Sequence, residues 1–260
     1  EFILPHDAHY RPSWLIQLGL IFYDYLYWAK TIPRSKKLNL NKHSKENPLK
    51  PKYSIGFSYF DCKTDDARLV IANAMAAKKK GAKILTRTQY QSAKRQDNHW
   101  LIDLYDKTNN QKFTIKSKAI VNAGGPWVSD IIDTTEVKTD NQVTLVKGSH
   151  IVIKKLYDGE HAYTLQNIDQ RVVFTLPYQD HFTLIGTTEV GFSADANHAS
   201  INQEEIDYLC NTINHYFNRS ISSKDIVWSF SGVRPLHDDH SDNLSNITRE
   251  SYIDVNDKNQ

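Results

Sequence analysis

The chain has 260 residues, 40% hydrophobic, 24% charged and 11% aromatic, which describes a globular protein large enough for one big domain or two smaller ones and excludes a disordered chain. Its 32 Lys and Arg against 30 Asp and Glu give a formal net charge of +2, too mild to imply a nucleic-acid partner. Cys62 and Cys210 are the only cysteines and lie far apart. They exclude a disulfide framework and a zinc-ligand spacing, so no metal site is expected, and they fit a reducing, cytoplasmic compartment.

Residue 1 is Glu, Glu1 to Arg11 reads as mid-domain sequence, and the chain stops in a polar run at Gln260. The expectation is an interior piece of a longer cofactor enzyme; the alternative is a complete domain with trimmed ends. Trp14 to Trp28 is the most apolar run, but it carries Gln17 and Asp24 and falls short of the roughly 20 residues needed to cross a bilayer. It reads as a buried or interfacial helix, with no signal peptide before it. Between Lys30 and Lys52, eight Lys or Arg accompany a single acid, Glu46. That stretch is a solvated surface loop or a contact for anionic lipid headgroups.

The clearest helix spans Asp66 to Lys80. Asp65 or Asp66 caps it, Leu69, Val70, Asn73, Ala74 and Ala77 form a narrow face suited to close packing on a sheet, and Lys78 to Lys80 sit where the helix dipole favours cations. Gly81 stops the helix. A strand at Lys83 to Thr88 would complete the helix and strand of a βαβ unit. The period then becomes two: Trp100, Ile102 and Leu104, a turn at Lys107 to Asn110, and Phe113 and Ile115 make a β-meander. Lys118 to Val128 reads as strand, glycine turn and helix start. Gly124 and Gly125 are the only adjacent glycines of ten, and neither a G-x-G-x-x-G nor a G-x-x-x-x-G-K-[ST] motif occurs.

Val143 to Lys147, Tyr163 to Gln166, Arg171 to Pro177 and Phe182 to Thr187 are strand candidates, residues 203–217 a helix opened by Asn202 and Glu204 or Glu205, and Ile226 to Val233 a last long strand. They predict a largely antiparallel sheet covered by at least one helix. Ser251 to Val255 is strand-like. Lys147-Gly148-Ser149-His150 breaks an apolar strand pair, and an imidazole there is either structural or a proton acceptor near neutral pH. In Ser231-Gly232-Val233-Arg234-Pro235, the proline forces Arg234 into an extended conformation at a strand end. Arg234 and Arg249 either hold an anion such as a phosphate or carboxylate, or form salt bridges with Asp238, Asp239 and Glu250.

These segments resemble the FAD-dependent, quinone-linked aerobic glycerol-3-phosphate dehydrogenases over nearly the whole chain. The resemblance is carried, in family order, by Leu4-Pro5-His6-Asp7-Ala8-His9 with Arg11-Pro12, Asp65 to Val70, Leu85-Thr86-Arg87-Thr88, Val121 to Trp127, Lys147 to His150, Ile185-Gly186-Thr187-Thr188-Glu189, and Ser231 to Leu236. It implies a mixed α/β fold of the D-amino-acid-oxidase-like superfamily, with part of a Rossmann-like FAD-binding domain and an antiparallel-sheet substrate domain. The implied layout is a helical and loop segment at 1–62, FAD-binding domain at 63–142, substrate domain at 143–245 and a return toward the FAD domain at 246–260.

The resemblance also implies oxidation of sn-glycerol 3-phosphate to dihydroxyacetone phosphate, with electrons passed to a quinone. His150 would be the candidate base, Arg234 would stabilise the C2 oxygen, and Arg249 would hold the phosphate. Gly124 and Gly125 would let backbone approach FAD with Trp127 packed behind, and Tyr90 would end a strand along the adenine. The full-length protein is expected as a homodimer, peripheral on the inner face of the plasma membrane. Its N-terminal FAD-binding strand and turn, and a later glycine-rich segment with a phosphate-binding Lys, are expected outside these residues, leaving the isolated chain inactive and poor at holding FAD. A glycerol-3-phosphate oxidase, another FAD-dependent hydroxy-acid or amine oxidase, or a non-catalytic membrane-surface or partner-binding module are the alternatives.

Overall fold

A computed structural model describes residues 1–7, 11–26, 31–43, 47–135, 137–139, 141–238 and 247–255. They form two compact units, Glu1–Cys62 with Val146–Val233, and Lys63–Leu145 with Arg234–Gln260.

The first unit is built on a nine-stranded sheet. Its strands are β1 (Phe2–Pro5), β2 (Lys36–Asn39), β3 (Ile55–Tyr59), β7 (Val143–Lys154), β8 (Ala162–Gln166), β9 (Val172–Tyr178), β10 (Phe182–Gly186), β11 (Val190–Gly191) and β12 (Ile226–His237). The order is β11-β7-β10-β9-β8-β1-β3-β2, with β12 also on β7. Of the pairs with an assigned register, only β1 with β8 is parallel. One face is covered by α4 (Gln203–Tyr216), whose Leu209, Ile213 and Tyr216 pack with Ile151, Ile153, Leu165, Val173 and Ile185 in a continuous core.

Helix α4 begins with a capping box. Asn202 Oδ1 accepts the Glu205 N–H at 2.9 Å, and Glu205 Oε2 accepts the Asn202 N–H at 3.0 Å, so two donors at an otherwise unsatisfied helix start are paired. The expected antiparallel sheet with a covering helix is present. Two expectations are corrected. Lys147 to His150 do not interrupt a strand but lie in the middle of β7, and Arg234 lies within β12 and not at its end.

Helix α1 (Ser13–Leu26) has no buried residue, and Trp14, Leu18, Phe22 and Leu26 are each more than half exposed. It is therefore not a core helix, and residues 27 and 28 of the expected run lie outside the described residues. Part of the basic stretch is strand and not loop: Lys36 to Asn39 pair with β3. Lys30 and residues 44–46 of that stretch, and Ala8 and His9 of the first motif, lie outside the described residues.

In the second unit α2 (Asp66–Lys79) is capped by Asp65, which accepts the Arg68 N–H at 3.1 Å, and Gly81 follows at φ +96°. The expected strand over 83–88 does not form; β4 runs Thr88–Gln96 and joins β5 (His99–Asp106) and β6 (Gln111–Ser117) in an antiparallel meander. Nor do residues 118–122 form a strand before the glycine turn, or residues 251–255 a strand. An apolar run permits a strand, but a strand exists only where a neighbouring backbone takes its N–H and C=O groups. Leu85 and Val121 are exposed and find no such ladder. The turn and helix do form, as a 3-10 turn at Gly125–Trp127 and α3 (Val128–Asp133).

Candidate active site

Alternation along β7 separates two sets of side chains. Lys147, Ser149, Ile151 and Ile153 point toward α4 and are buried, and His150 points to the opposite face. There it lies directly across from Gly186 of β10. A Cβ built on Gly186 would stand 2.2 Å from the His150 ring, so only glycine leaves room for the imidazole. On its other side the ring stacks on Phe230 of β12, with centroids 4.9 Å apart and planes 6° apart.

Beneath His150 the α4 side of the strand is fixed by a buried polar cluster. Glu205, 3% exposed, pairs with Lys147 at 2.9 Å and accepts from the hydroxyls of Ser149 at 2.8 Å and Thr188 at 2.7 Å. With the Asn202 N–H, four donors surround one carboxylate. Burial pushes the Glu205 carboxyl up, but the bonds from Lys147, Thr188, Asn202 and Ser149 outweigh it and hold the group below its ordinary value. Since the Ser149 hydroxyl donates to Glu205, the Ser231 hydroxyl 2.8 Å away donates to Ser149. Lys147 also donates to the Ser200 carbonyl at 2.7 Å. The two motifs singled out around His150 and Arg234 thus meet at Ser149 and Ser231.

Glu205, Thr188, Gly186 and Phe230 were not among the expected site residues. Asn202-x-x-Glu205 is a visible capping signature, but nothing in the sequence shows that the same carboxylate reaches Lys147 and Ser149. For Phe230 the only sequence signal is strand alternation.

In the second unit the glycine turn is held by Asn122, whose amide donates to the Val128 carbonyl at 2.9 Å and accepts the Gly124 N–H at 3.1 Å. A Cβ on Gly124 would stand 2.5 Å from Ile131 Cδ1. Gly125 adopts φ +58°, and among the described residues, its two chain neighbours aside, no atom lies within 4 Å of where its Cβ would be. Bare, open backbone of this kind fits a cofactor that must come close to the chain. Trp127 closes the turn, 41% exposed.

Tyr90 is the third residue of antiparallel β4 and not the end of a preceding strand. Its hydroxyl lies 3.0 Å from Thr134 Oγ1, which itself donates to the Ile131 carbonyl. Tyr90 is therefore the donor and ties the meander to the end of α3. Arg234 is exposed, and no ion pair to it occurs among the described residues; Asp239, one expected partner, lies outside them. Arg249 is exposed in residues 247–255, a segment tied down where Asp254 accepts from Thr139 at 2.7 Å and Asn141 at 2.8 Å.

The family model for FAD dependent oxidoreductase matches residues 4–253. The chain belongs to that family. It is 42% identical over 256 residues to D-erythritol 1-phosphate dehydrogenase of Brucella abortus, covering 98% of this chain and 51% of the relative. It is equally 42% identical over 260 residues to aerobic glycerol-3-phosphate dehydrogenase of Escherichia coli, covering 100% of this chain and 51% of that protein. The chain thus spans about half the length of the curated relatives it matches.

The fold is that of solved members as well. The glycerol-3-phosphate dehydrogenase of Bacillus halodurans complexed with FAD superposes with a TM-score of 0.70 at 24% identity, over 91% of this chain and 43% of that one. The L-alpha-glycerophosphate oxidase of Mycoplasma pneumoniae with FAD bound gives 0.68 at 18%, over 91% and 61%. The mixed α/β, D-amino-acid-oxidase-like fold and FAD as the family's cofactor follow.

Proposed function

We propose that the protein to which these residues belong oxidises sn-glycerol 3-phosphate to dihydroxyacetone phosphate and passes the electrons to a quinone. The observation that carries the reading is the 42% identity to the Escherichia coli glycerol-3-phosphate dehydrogenase along the entire chain. The equal identity to the Brucella abortus erythritol phosphate enzyme supports a second reading, D-erythritol 1-phosphate as substrate. Both are phosphate monoesters of polyols, so both need an anion site and a proton acceptor for an alcohol.

His150 takes the hydroxyl proton on its imidazole; its seat between Gly186 and Phe230, on the sheet face away from the core, supports that role. The guanidinium of Arg234 stabilises the oxygen as the proton leaves, and Arg249 binds the phosphate, for which a planar, permanently charged fork is suited. The backbone at Gly124 and Gly125 would hold FAD, together with Trp127 and Tyr90. Bound FAD supplies the two-electron acceptor that an alcohol oxidation requires. The exposed apolar side chains of α1, with Lys36 and Lys37 exposed on β2, support a peripheral membrane contact, where a quinone would be met. Among the described residues no helix is long and apolar enough to cross a membrane.

The test is dye-linked oxidation of each polyol phosphate by the FAD-loaded protein and its Arg234→Ala variant, with flavin absorbance followed in parallel. A loss of about 10²- to 10³-fold in kcat with flavin retained is expected. Full activity in the variant refutes the role of Arg234, and no turnover of either substrate refutes the function.

A further inference from the structure

We infer that Phe230 is a positioning residue for His150, holding the imidazole flat and stabilising the cation the ring becomes on taking a proton. The inference rests on the reading of His150 as the base.

The ring is confined on both faces. Phe230 lies parallel to it, 6° between planes at 4.9 Å between centroids. On the other side a Cβ at Gly186 would stand 2.2 Å from His150 Cδ2, 2.7 Å from Cγ and 2.8 Å from Nε2. Turning the imidazole about its Cβ–Cγ bond would drive one edge toward the phenyl ring and the other toward the Gly186 backbone. The ring plane, and with it the directions of both nitrogens, is therefore set by the neighbours. Phe230 is itself supported by Trp228, tilted 35° at 5.2 Å. Ser231, the next residue of β12, is tied through Ser149 to Glu205, which fixes the register that brings Phe230 to His150.

This arrangement has a chemical consequence besides a steric one. In the proton step the substrate O–H bond breaks, an N–H bond forms on the imidazole, and the electron pair stays on oxygen, so the ring changes from neutral to cationic. The face of a phenyl ring carries negative charge density and attracts a cation more strongly than a neutral ring. Phe230 thus favours the state reached in the transition state over the resting one, and such an interaction lowers kcat when removed, without weakening substrate binding.

The test uses the FAD-loaded protein and whichever polyol phosphate turns over, comparing Phe230→Leu, Phe230→Met, Phe230→Tyr, His150→Asn and the double variant Phe230→Leu/His150→Asn. Removing the ring is expected to lower kcat about 3- to 30-fold, the range of a cation over an aromatic face, with KM and flavin absorbance unchanged. Phe230→Tyr keeps a ring and retains kcat. Phe230→Met serves where the leucine variant does not load flavin. In the His150→Asn background the leucine substitution should cause no further loss, since there is no imidazolium left to stabilise. Full kcat in the ring-less variants, or the same loss in the absence of His150, overturns the inference while leaving the base reading standing. A His150→Asn variant with full kcat overturns the base reading, and the inference with it.

Discussion

Helices α2 and α4 are each 14 residues long and each starts at a side-chain cap, yet their fates differ. α4 buries Glu205, Leu209, Cys210, Thr212, Ile213 and Tyr216, while α2 buries nothing, with Leu69, Val70, Ile71 and Met75 all more than half exposed. The difference shows which part of a helix is local. Asp65 and Asn202 make their bonds within three residues, so their sequence signals suffice. Burial depends on a surface elsewhere in the chain, and in α4 that surface is the inner face of β7, β8, β9 and β10. In a short helix most stability comes from such packing and little from propensity.

The largest effect should come from the contact that makes α4 more than a packed helix. Glu205→Ala removes one partner of a buried ion pair and leaves Lys147 charged and enclosed, which costs about 3–5 kcal/mol, read as a lower denaturant midpoint. The same carboxyl gives a pH signature. Its folded value is depressed, so its contribution is complete above the unfolded value of about 4.3 and is lost as pH falls toward the folded one. Glu205→Gln should be less stable at neutral pH and lose less stability on acidification. An acid unfolding curve parallel to that of the unsubstituted protein would refute this reading of the site.

Next in size is the contrast in packing. Leu209→Ala opens a cavity in the core and should cost about 2–5 kcal/mol. Leu69→Ala, at a position 52% exposed, should stay within about 0.5 kcal/mol. Equal losses in chemical denaturation of the two variants would mean that α2 packs as tightly as α4.

The same division between local and distant causes explains what was legible. The caps of α2 and α4, the Lys107 to Asn110 turn with the alternation of β5 and β6, and the β8 to β10 strands all rest on neighbours a few residues apart, and all are present. The short strands β1, β2 and β3 give little periodic signal; their register is set by one another and by β8. In the sequence Lys147 and Ser149 read as a break in an apolar strand pair, because a cation and a hydroxyl have no partner among their near neighbours in the chain. Their partner, Glu205, is more than 50 residues away. Conversely, the apolar residues at 83–87 and 118–122 had the composition of strands and found no ladder. His150 was legible as a residue, but its seat was not: Gly186 and Phe230 reach it only through strand pairing.

The smallest effect sharpens the comparison most, because it changes the same chemistry in both helices. Asp65→Ala and Asn202→Ala each remove a side-chain acceptor for an N–H near the helix start and should each cost about 1 kcal/mol of local helix stability. The consequences should differ in extent. α2 makes no buried contact, so losing its cap should raise amide exchange in its own first turn and leave the meander β4 to β6 unchanged. In α4 the cap residue also donates its N–H to Glu205, and Glu205 holds Lys147, Ser149 and Thr188. Loosening that turn should therefore raise exchange in the middle of β7 together with the helix, since the two open as one cooperative unit. Exchange confined to residues 203–206 in Asn202→Ala would show that the polar cluster closes over the strand independently of its helix.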